Sequence, residues 1–292
     1  MLADLLLFVA DLGRWSVAGL WLPLLGWTLV ALAALLVDRW LPLARPRVRA
    51  VLLTSILIAL PLGLSTRALP NPMPKAAART APALFVLPIQ PDPISFVASE
   101  RLIEITAPAP PPDPLWPLAS GVLALLSLLF AAGGLGYVAL SALKLMRWSR
   151  SLTDLNEESV EALREAQSLG APSGTRIRVV AQDVTPCTYG LLNSAIVLPA
   201  CLDAEAQTLA LRHEIAHVRH GDASAHLVSL ACSALIAWHP LAHMIRRRAT
   251  LRREQAADAF ALDGQPTRRS AYARLLTHFS SAPTLAPALA VP

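Results

Sequence analysis

Long uncharged apolar segments dominate the first half of the chain, and basic or proline-rich stretches separate them. Three of these segments, residues 16–37, 50–66 and 117–140, contain no charged side chain. A bilayer core of about 30 Å requires about 20 helical residues, and a segment of 17 is at the short end of the usual range. The pattern therefore predicts a membrane region over residues 1–143 that contains three transmembrane helices and has the lipid bilayer as its partner.

Basic residues near the ends of these segments predict their orientation. The loop 38–49 carries four arginines and one acidic residue, and one lysine and two arginines follow the third span within residues 144–150. Because cytoplasmic loops carry an excess of lysine and arginine, we expect both regions in the cytoplasm. The connection 67–116 is then external. It holds nearly half of the chain's 25 prolines, a composition that favours a loose, extended loop over a packed core.

The overall composition agrees with a membrane protein. Only 15% of residues are charged and 54% are hydrophobic, whereas soluble domains carry about 25% charged residues. The net charge of +5 suggests nucleic acid as a partner, but the arginines cluster beside apolar segments, so we expect no direct nucleic-acid binding. The cysteines, Cys187, Cys201 and Cys232, show no CxxC spacing, which argues against a thiolate metal site.

The second half of the chain has the patterns of a domain outside the bilayer. Residues 144–170 are predicted to form a linker helix. Residues 175–182 alternate like a strand, and residues 187–199 resemble two short strands about a turn near Asn193 and Ser194. We place the domain itself at residues 171–265 and assign residues 266–292 to a C-terminal tail.

A predicted helix between Asp203 and Gly221 carries the candidate chemistry. Asp203 is a good N-cap and Gly221 a good C-terminal stop. His213 and His217 are four residues apart, so their imidazoles leave the same face of the helix and can reach one metal ion. Glu214 lies beside them, where a carboxylate can act as the general base for a metal-activated water. The spacing favours a zinc (Zn2+) site over a solvated helix that carries these residues by chance.

A catalytic zinc site takes three protein ligands, and both His220 and Glu254 are candidates for the third. The chain between them favours Glu254. An apolar helix is predicted over 223–238, after Asp222 as its N-cap, and another helix begins at Pro240, a residue suited to a first turn. The two legs are each about 23 Å long, so a hairpin returns Glu254 to the level of the histidine helix. A helix that crossed the bilayer over 223–238 would place Glu254 on the wrong side.

Three other polar residues near these motifs are assigned outer or structural roles. Asp258 follows Glu254 by four residues on the same face, and it is a candidate acceptor for the outer ring nitrogen of a zinc-bound histidine. His239 and His243 share the i,i+4 spacing of a metal pair. His239 precedes a proline, so its backbone is not expected to be helical, and we interpret both histidines as structural or as facing the cleft.

Three stretches resemble the integral-membrane zinc metallopeptidases of the BlaR/MecR type, the antirepressor sensor–transducers of beta-lactam resistance. They are TPCTYGLLNSAIVLPACL, HEIAHVRHGD and AWHPLAHMIRRRATLRREQAADAFAL, at residues 185–202, 213–222 and 237–262. In place of the family's usual asparagine, His239 precedes Pro240. No apolar segment of spanning length follows residue 264, so we do not expect the family's penicillin-binding sensor domain.

The resemblance implies roles for individual residues. His213, His217 and Glu254 would be the zinc ligands, Glu214 the general base and Asp258 an outer partner. Tyr189 and Gly190 would lie on an edge strand that aligns the peptide substrate. The implied fold is a mainly α membrane protein with three transmembrane helices and a cytoplasmic α+β, gluzincin-like zinc peptidase domain that contains a small β element.

Three functions are compatible with these features. The first is a membrane-embedded zinc endopeptidase of the bacterial cytoplasmic (inner) membrane, which cleaves itself or a regulatory protein such as a transcriptional repressor in signal transduction. The second is a membrane quality-control protease, although such proteases usually have more membrane segments between the histidines and the glutamate. The third is a non-catalytic, zinc-stabilised receptor or scaffold. A structural zinc site of that kind does not need the Glu214 carboxylate, which argues against this function. An oligomer is compatible with all three.

Overall fold

The apolar segments of the membrane region are helical, as their pattern predicts. A computed structural model of the protein describes residues 1–40, 45–68, 115–152, 167–181, 184–191, 193–263 and 266–281. The predicted external loop and most of the predicted linker helix lie outside these residues, apart from the ends of each. Within them, the helices of the first half are α1 (Leu2–Ser16), α2 (Leu22–Trp40), α3 (Pro46–Ala68) and α4 (Trp116–Ser151).

The described residues contain three helical segments long and apolar enough to cross a membrane, which confirms the predicted number. They are Leu2–Trp40, Pro46–Leu64 and Trp116–Ser151. The first begins earlier than the predicted residue 16, because α1 continues into α2 through a π-helical segment, Val17–Trp21. The third extends through residues 144–151, which the sequence analysis assigned to the linker, because no helix-breaking residue interrupts α4 there.

In the part of the second half that the structure describes, a small sheet is combined with four α-helices of more than ten residues. The strands are β1 (Arg176–Val180), β2 (Cys187–Tyr189) and β3 (Ala195–Pro199). The sheet order is β1-β3-β2, with β1 parallel and β2 antiparallel to β3. The helices are α5 (Ala204–His220), α6 (Asp222–Leu235), α7 (Pro240–Ala261) and α8 (Arg269–Ser281). All three strands lie where the sequence predicts them, and the mainly α class with a small β element is confirmed.

The ends of α5 follow from local hydrogen bonds. The Asp203 carboxylate accepts a bond of 2.7 Å from the Ala206 amide, which satisfies one of the free N–H groups of the first turn. At the other end, the Gly221 amide donates to the carbonyls of His217 and Val218. Asp222, in contrast, is not the N-cap that the sequence suggested. It is the first residue of α6, and its side chain turns back towards α5.

Helices α6 and α7 form a hairpin that packs against the membrane helices. His239, before Pro240, has the extended backbone (φ −89°, ψ 116°) that a following proline favours. At this tip the His239 ring lies 5.3 Å from the Trp27 ring, centroid to centroid, and the Trp238 ring lies 6.0 Å from that of Trp21. With 14 residues, α6 is about 21 Å long, so it is too short to cross a bilayer core of about 30 Å.

Among the described residues, buried apolar side chains form three clusters that join the helices and the sheet. One lies among α5, α8 and the sheet and includes Leu209, Ile215 and Tyr272. A second lies among α2, α3 and the hairpin, and a third joins the end of α4 to the sheet. Within the predicted tail 266–292, the described helix α8 packs one face, with Tyr272 and Leu275, into the first cluster.

Helices α1 and α4 approach so closely that their contact leaves no room for side chains. A Cβ atom built on Gly121 would collide with the Val9 carbonyl oxygen, and one built on Gly13 would collide with that of Pro117. On the same helix, Gly133 has open space at its Cβ position. The first contact therefore requires glycine, whereas Gly133 could be replaced without a clash.

This difference predicts opposite effects for one substitution at two positions of α4. Gly121→Ala should destabilise the protein by about 1–3 kcal/mol, the usual range for overpacking, since the methyl group forces α1 away from α4. Gly133→Ala should leave stability unchanged or raise it slightly, because alanine favours helix. Thermal unfolding of both variants in the same detergent tests this. Equal melting temperatures would contradict the close packing.

Candidate metal centre

Helix α5 presents His213 and His217 on one face with their Nε2 atoms directed at each other. The two Nε2 atoms are 3.1 Å apart. The side chain of His217 is fully buried and that of His213 is 12% exposed. The predicted i,i+4 arrangement therefore brings two imidazole nitrogens to a single point at the edge of the protein interior.

Helix α7 brings Glu254 to the same point. Its Oε2 atom is 3.6 Å from Nε2 of His213 and 3.6 Å from Nε2 of His217. The hairpin thus returns Glu254 to the histidine helix, as its two legs predict. Within the described part of the chain, the group with metal-ligand spacing is His213, His217 and Glu254, and it does not include His220.

The three ligand atoms fit a tetrahedral metal ion. With metal–ligand distances of about 2.0–2.1 Å, two ligands of a tetrahedral zinc lie about 3.4 Å apart, and the observed separations are 3.1, 3.6 and 3.6 Å. The second carboxylate oxygen of Glu254, Oε1, is buried and has no hydrogen-bond partner among the described residues. A cation at the centre of the triangle would compensate this carboxylate.

The outer nitrogen of His213 is held through Tyr272 and Asp258. Its Nδ1 atom lies 2.7 Å from the Tyr272 hydroxyl, which donates a bond of 2.7 Å to Oδ1 of Asp258. Since the hydroxyl proton goes to the carboxylate, Nδ1–H of His213 is the donor to the hydroxyl oxygen, and Nε2 keeps its lone pair. Asp258 thus lies beside His213 as predicted, 3.3 Å from Nδ1, but Tyr272 is the direct link and was missed.

The outer nitrogen of His217 is held by Asp222, which the sequence analysis interpreted as a cap. The Nδ1 atom of His217 lies 2.9 Å from Oδ2 of Asp222, and both side chains are fully buried. A hydrogen bond from a ligand histidine to a carboxylate fixes the ring and increases the basicity of the other nitrogen. In the sequence, the one signal for this role of Asp222 is its position directly after Gly221, at the end of the histidine helix.

The charges around the three ligands favour a cation between them. Burial alone would lower the pKa of His213, but hydrogen bonds with Asp258 and Glu254 outweigh it and raise the pKa to about 9. For His217 burial is likewise outweighed by Asp222 and Glu254, and the pKa rises to about 10. Burial opposes ionisation of Glu254, yet the two histidines lower its pKa to about 2. A metal ion must displace protons here, so its affinity should fall as the pH falls.

Glu214 is buried beside the ligands and is oriented by the sheet. Its Oε2 atom accepts a hydrogen bond of 2.7 Å from the hydroxyl of Thr188 on β2. Burial raises the pKa of this carboxyl group, while the nearby His217 and His213 oppose the rise. A carboxyl group with a raised pKa is better suited to take and return a proton near neutral pH. Thr188 was not predicted, because its role depends on how β2 packs against α5.

A cleft of about 250 Å³ opens onto the ligands. His213, Glu214 and Glu254 lie at its polar end, and apolar side chains of α8, among them Leu276 and Phe279, line its wall. The helix that the sequence analysis placed in a tail therefore shapes the entrance to the centre.

The two predicted substrate-strand residues occupy different environments. Tyr189 ends β2, but its hydroxyl accepts a bond of 2.8 Å from Arg178 and its ring packs edge-on against Trp148, so its side chain points away from the cleft. Gly190 follows in the turn with φ 99°. The backbone of β2 is an edge of the sheet in the described residues, which leaves one side of this strand without a partner strand.

The second histidine pair does not join the centre. His239 Nε2 lies 3.1 Å from the Thr28 hydroxyl of α2, and His243 donates a bond of 2.6 Å to the carbonyl oxygen of Ala237. Both side chains hold the tip of the hairpin.

The fold and the site together describe a protein with membrane-spanning helices and a ligand set suited to a metal ion. The sequence profile described as BlaR1 peptidase M56 matches residues 97–291, about two thirds of the chain. The chain belongs to this peptidase family, which confirms the resemblance seen in its motifs. No curated protein matches the chain.

The Tyr272 link to His213 predicts the effect of removing one hydroxyl group. Tyr272→Phe keeps the ring in the core but removes the acceptor for Nδ1 of His213, and zinc affinity should fall about 10–100-fold, as is typical for such outer partners. The matched control is Tyr189→Phe, which removes a hydroxyl far from the ligands. Competition with a zinc chelator measures both dissociation constants, and equal values would exclude a role for the hydroxyl in metal binding.

Proposed function

We propose that this protein is a zinc-dependent membrane endopeptidase whose active site faces the cytoplasm. The main support is the triangle of ligand atoms from His213, His217 and Glu254, with Glu214 buried at the same cleft. Two neutral nitrogens and one carboxylate are the ligand set of catalytic zinc sites that keep a fourth position open. Zinc bound there would supply a Lewis acid that polarises the scissile carbonyl and lowers the pKa of a water molecule.

The residues of the chain divide the remaining steps of peptide hydrolysis. Glu214 accepts a proton from the attacking water and delivers it to the leaving amine, and Thr188 holds its carboxylate during both transfers. The free edge of β2 pairs with an extended peptide by strand addition, through backbone hydrogen bonds near Tyr189 and Gly190. The apolar wall of α8 accommodates a side chain of the substrate.

The proposed substrate is a cytoplasmic regulatory protein, such as a transcriptional repressor, or the chain itself. The basis is the orientation of the spans. Basic side chains flank the end of α2, the start of α3 and the end of α4, and the ligands lie on the same side as these residues, because Arg47 and Asp38 contact Asp222 and Arg252. In a bacterial inner membrane the positive-inside rule places that side in the cytoplasm.

The alternative functions have less support. A quality-control protease of the kind with membrane spans between its ligands does not fit the α6–α7 hairpin, which returns to its starting level. A non-catalytic receptor or scaffold would have no role for Glu214, which is 1% exposed, although burial of a carboxyl group has a free-energy cost.

The catalytic role of Glu214 predicts that binding and cleavage can be separated. Glu214→Gln keeps the size of the side chain and its contact with Thr188 but removes the base. Zinc content should be retained, and cleavage of the chain or of a co-expressed repressor should fall about 100-fold or more. Glu205→Gln, an exposed change on the same helix, is the control and should cleave normally. Undiminished cleavage by Glu214→Gln would contradict the proposal.

The proposed orientation makes a separate prediction. A reporter that is active only in the cytoplasm should be active when it is fused after residue 170. A reporter that is active only outside the cytoplasm should be active when it is fused near residue 90. Paired fusions of both reporter types at each position provide the control. The reverse pattern would exclude a cytoplasmic substrate.

A further inference from the structure

The first turn of the membrane helix α3 contacts the surroundings of the metal centre through Arg47. One guanidinium nitrogen of Arg47 donates a bond of 2.8 Å to Oδ1 of Asp222, and the other donates a bond of 2.6 Å to the carbonyl oxygen of His220. The Arg47 side chain is about one-third exposed. Arg47 thus bridges the end of the histidine helix and the start of the hairpin.

Asp222 uses its two oxygens for two different partners. Oδ1 accepts from Arg47, and Oδ2 accepts from Nδ1 of His217 at 2.9 Å. The Asp222 side chain is fully buried. A buried carboxylate without a cationic partner is strongly unfavourable. Arg47 supplies a cationic partner and fixes the Asp222 carboxylate in the orientation that holds the imidazole.

We infer that Arg47 is a positioning residue of the metal centre, acting on His217 through Asp222. The inference rests on the proposed zinc site. It assigns a part of that site to a membrane span, at a distance of two hydrogen bonds from a ligand. Without Arg47, the Asp222 carboxylate would be free to rotate or to draw in water, and the His217 ring would lose its fixed direction.

The two histidines are therefore oriented by different parts of the molecule. His213 depends on Tyr272 and Asp258, which belong to the domain helices α8 and α7. His217 depends on Asp222 and, through it, on α3. The position of α3 in the bilayer thus bears on His217 by a direct chain of hydrogen bonds through Asp222.

A second link connects the helix of Glu254 to the membrane region. Arg252, two residues before Glu254, donates from Nε to Oδ1 of Asp38 at 3.0 Å and from a terminal nitrogen to Oδ2 at 2.9 Å. Asp38 ends α2 and also accepts a bond of 2.8 Å from Arg49 of α3. His217 and the helix of Glu254 are thus both attached to the same end of the membrane helices. Arg47 reaches its ligand through side-chain hydrogen bonds alone, whereas Arg252 reaches Glu254 only through the backbone of α7.

The test compares zinc affinity and stability in the full-length protein held in lipid nanodiscs. Arg47→Gln removes the charge and the two guanidinium nitrogens that donate to Asp222 and His220. Zinc should then bind about 10–100-fold more weakly. Arg45→Gln, two residues away and exposed, removes the same charge without touching Asp222 and should bind zinc like the wild type. Chelator competition at fixed pH gives the dissociation constants, and thermal unfolding of the zinc-free proteins reports on folding separately.

Two further variants test the route through Asp222. Asp222→Asn should weaken zinc binding by itself, and Arg47→Gln added to it should cause little further loss, because both changes break one connection. Arg47→Lys keeps the charge but replaces the two guanidinium nitrogens that reach Asp222 and His220 with a single nitrogen, so the zinc affinity of this variant should lie between those of the wild type and Arg47→Gln. It also serves as the decisive variant if Arg47→Gln does not fold.

The possible outcomes separate this inference from the proposed function. A lower melting temperature with unchanged zinc affinity in Arg47→Gln would make Arg47 purely structural and overturn the inference. Additive losses in the double variant, or Arg47→Lys binding zinc no more weakly than the wild type, would overturn the route through Asp222. Failure of the wild-type protein to bind zinc would overturn the proposed zinc site itself.

Discussion

The mutual approach of three electron-rich atoms is the constraint on which the rest of the structure depends. Two imidazole nitrogens are 3.1 Å apart, and each is 3.6 Å from a carboxylate oxygen. The lone pairs of these three atoms repel one another unless a cation or protons lie between them. The surrounding chain maintains this arrangement with buried packing on both sides. Helix α5 is anchored against the sheet, and α7 is anchored against α2 and α3. The hairpin tip holds α7 in register by its contacts with Trp27 and Thr28.

Local signals account for the parts of this arrangement that could be predicted. Asp203 and Gly221 mark the two ends of α5, and Pro240 starts α7. Helix lengths alone therefore favoured Glu254 over His220 as the third metal ligand. Asp222, Thr188 and Tyr272 were not assigned their roles. Their contacts depend on α3, β2 and α8, each distant in sequence, and no local pattern carries that information. An acid at the start of a helix resembles a cap unless one knows that an arginine of a membrane span lies beside it.

The domain and the membrane region consequently form one functional unit. Helix α8 closes the cleft from the domain side, while the ends of α2 and α3 hold the hairpin and Asp222 from the membrane side. A change in the relative position of the spans has a direct physical route to one ligand, through charged hydrogen bonds in a buried setting where they are strongest.

The zinc K-edge absorption spectrum of the purified protein tests the central claim most directly, together with its zinc content. The account predicts one zinc per chain, with nitrogen and oxygen neighbours at about 2.0–2.1 Å and no sulfur. It also predicts loss of the metal in Glu254→Ala and its retention in His220→Ala. Sulfur neighbours at about 2.3 Å, or a centre that survives Glu254→Ala but not His220→Ala, would contradict it.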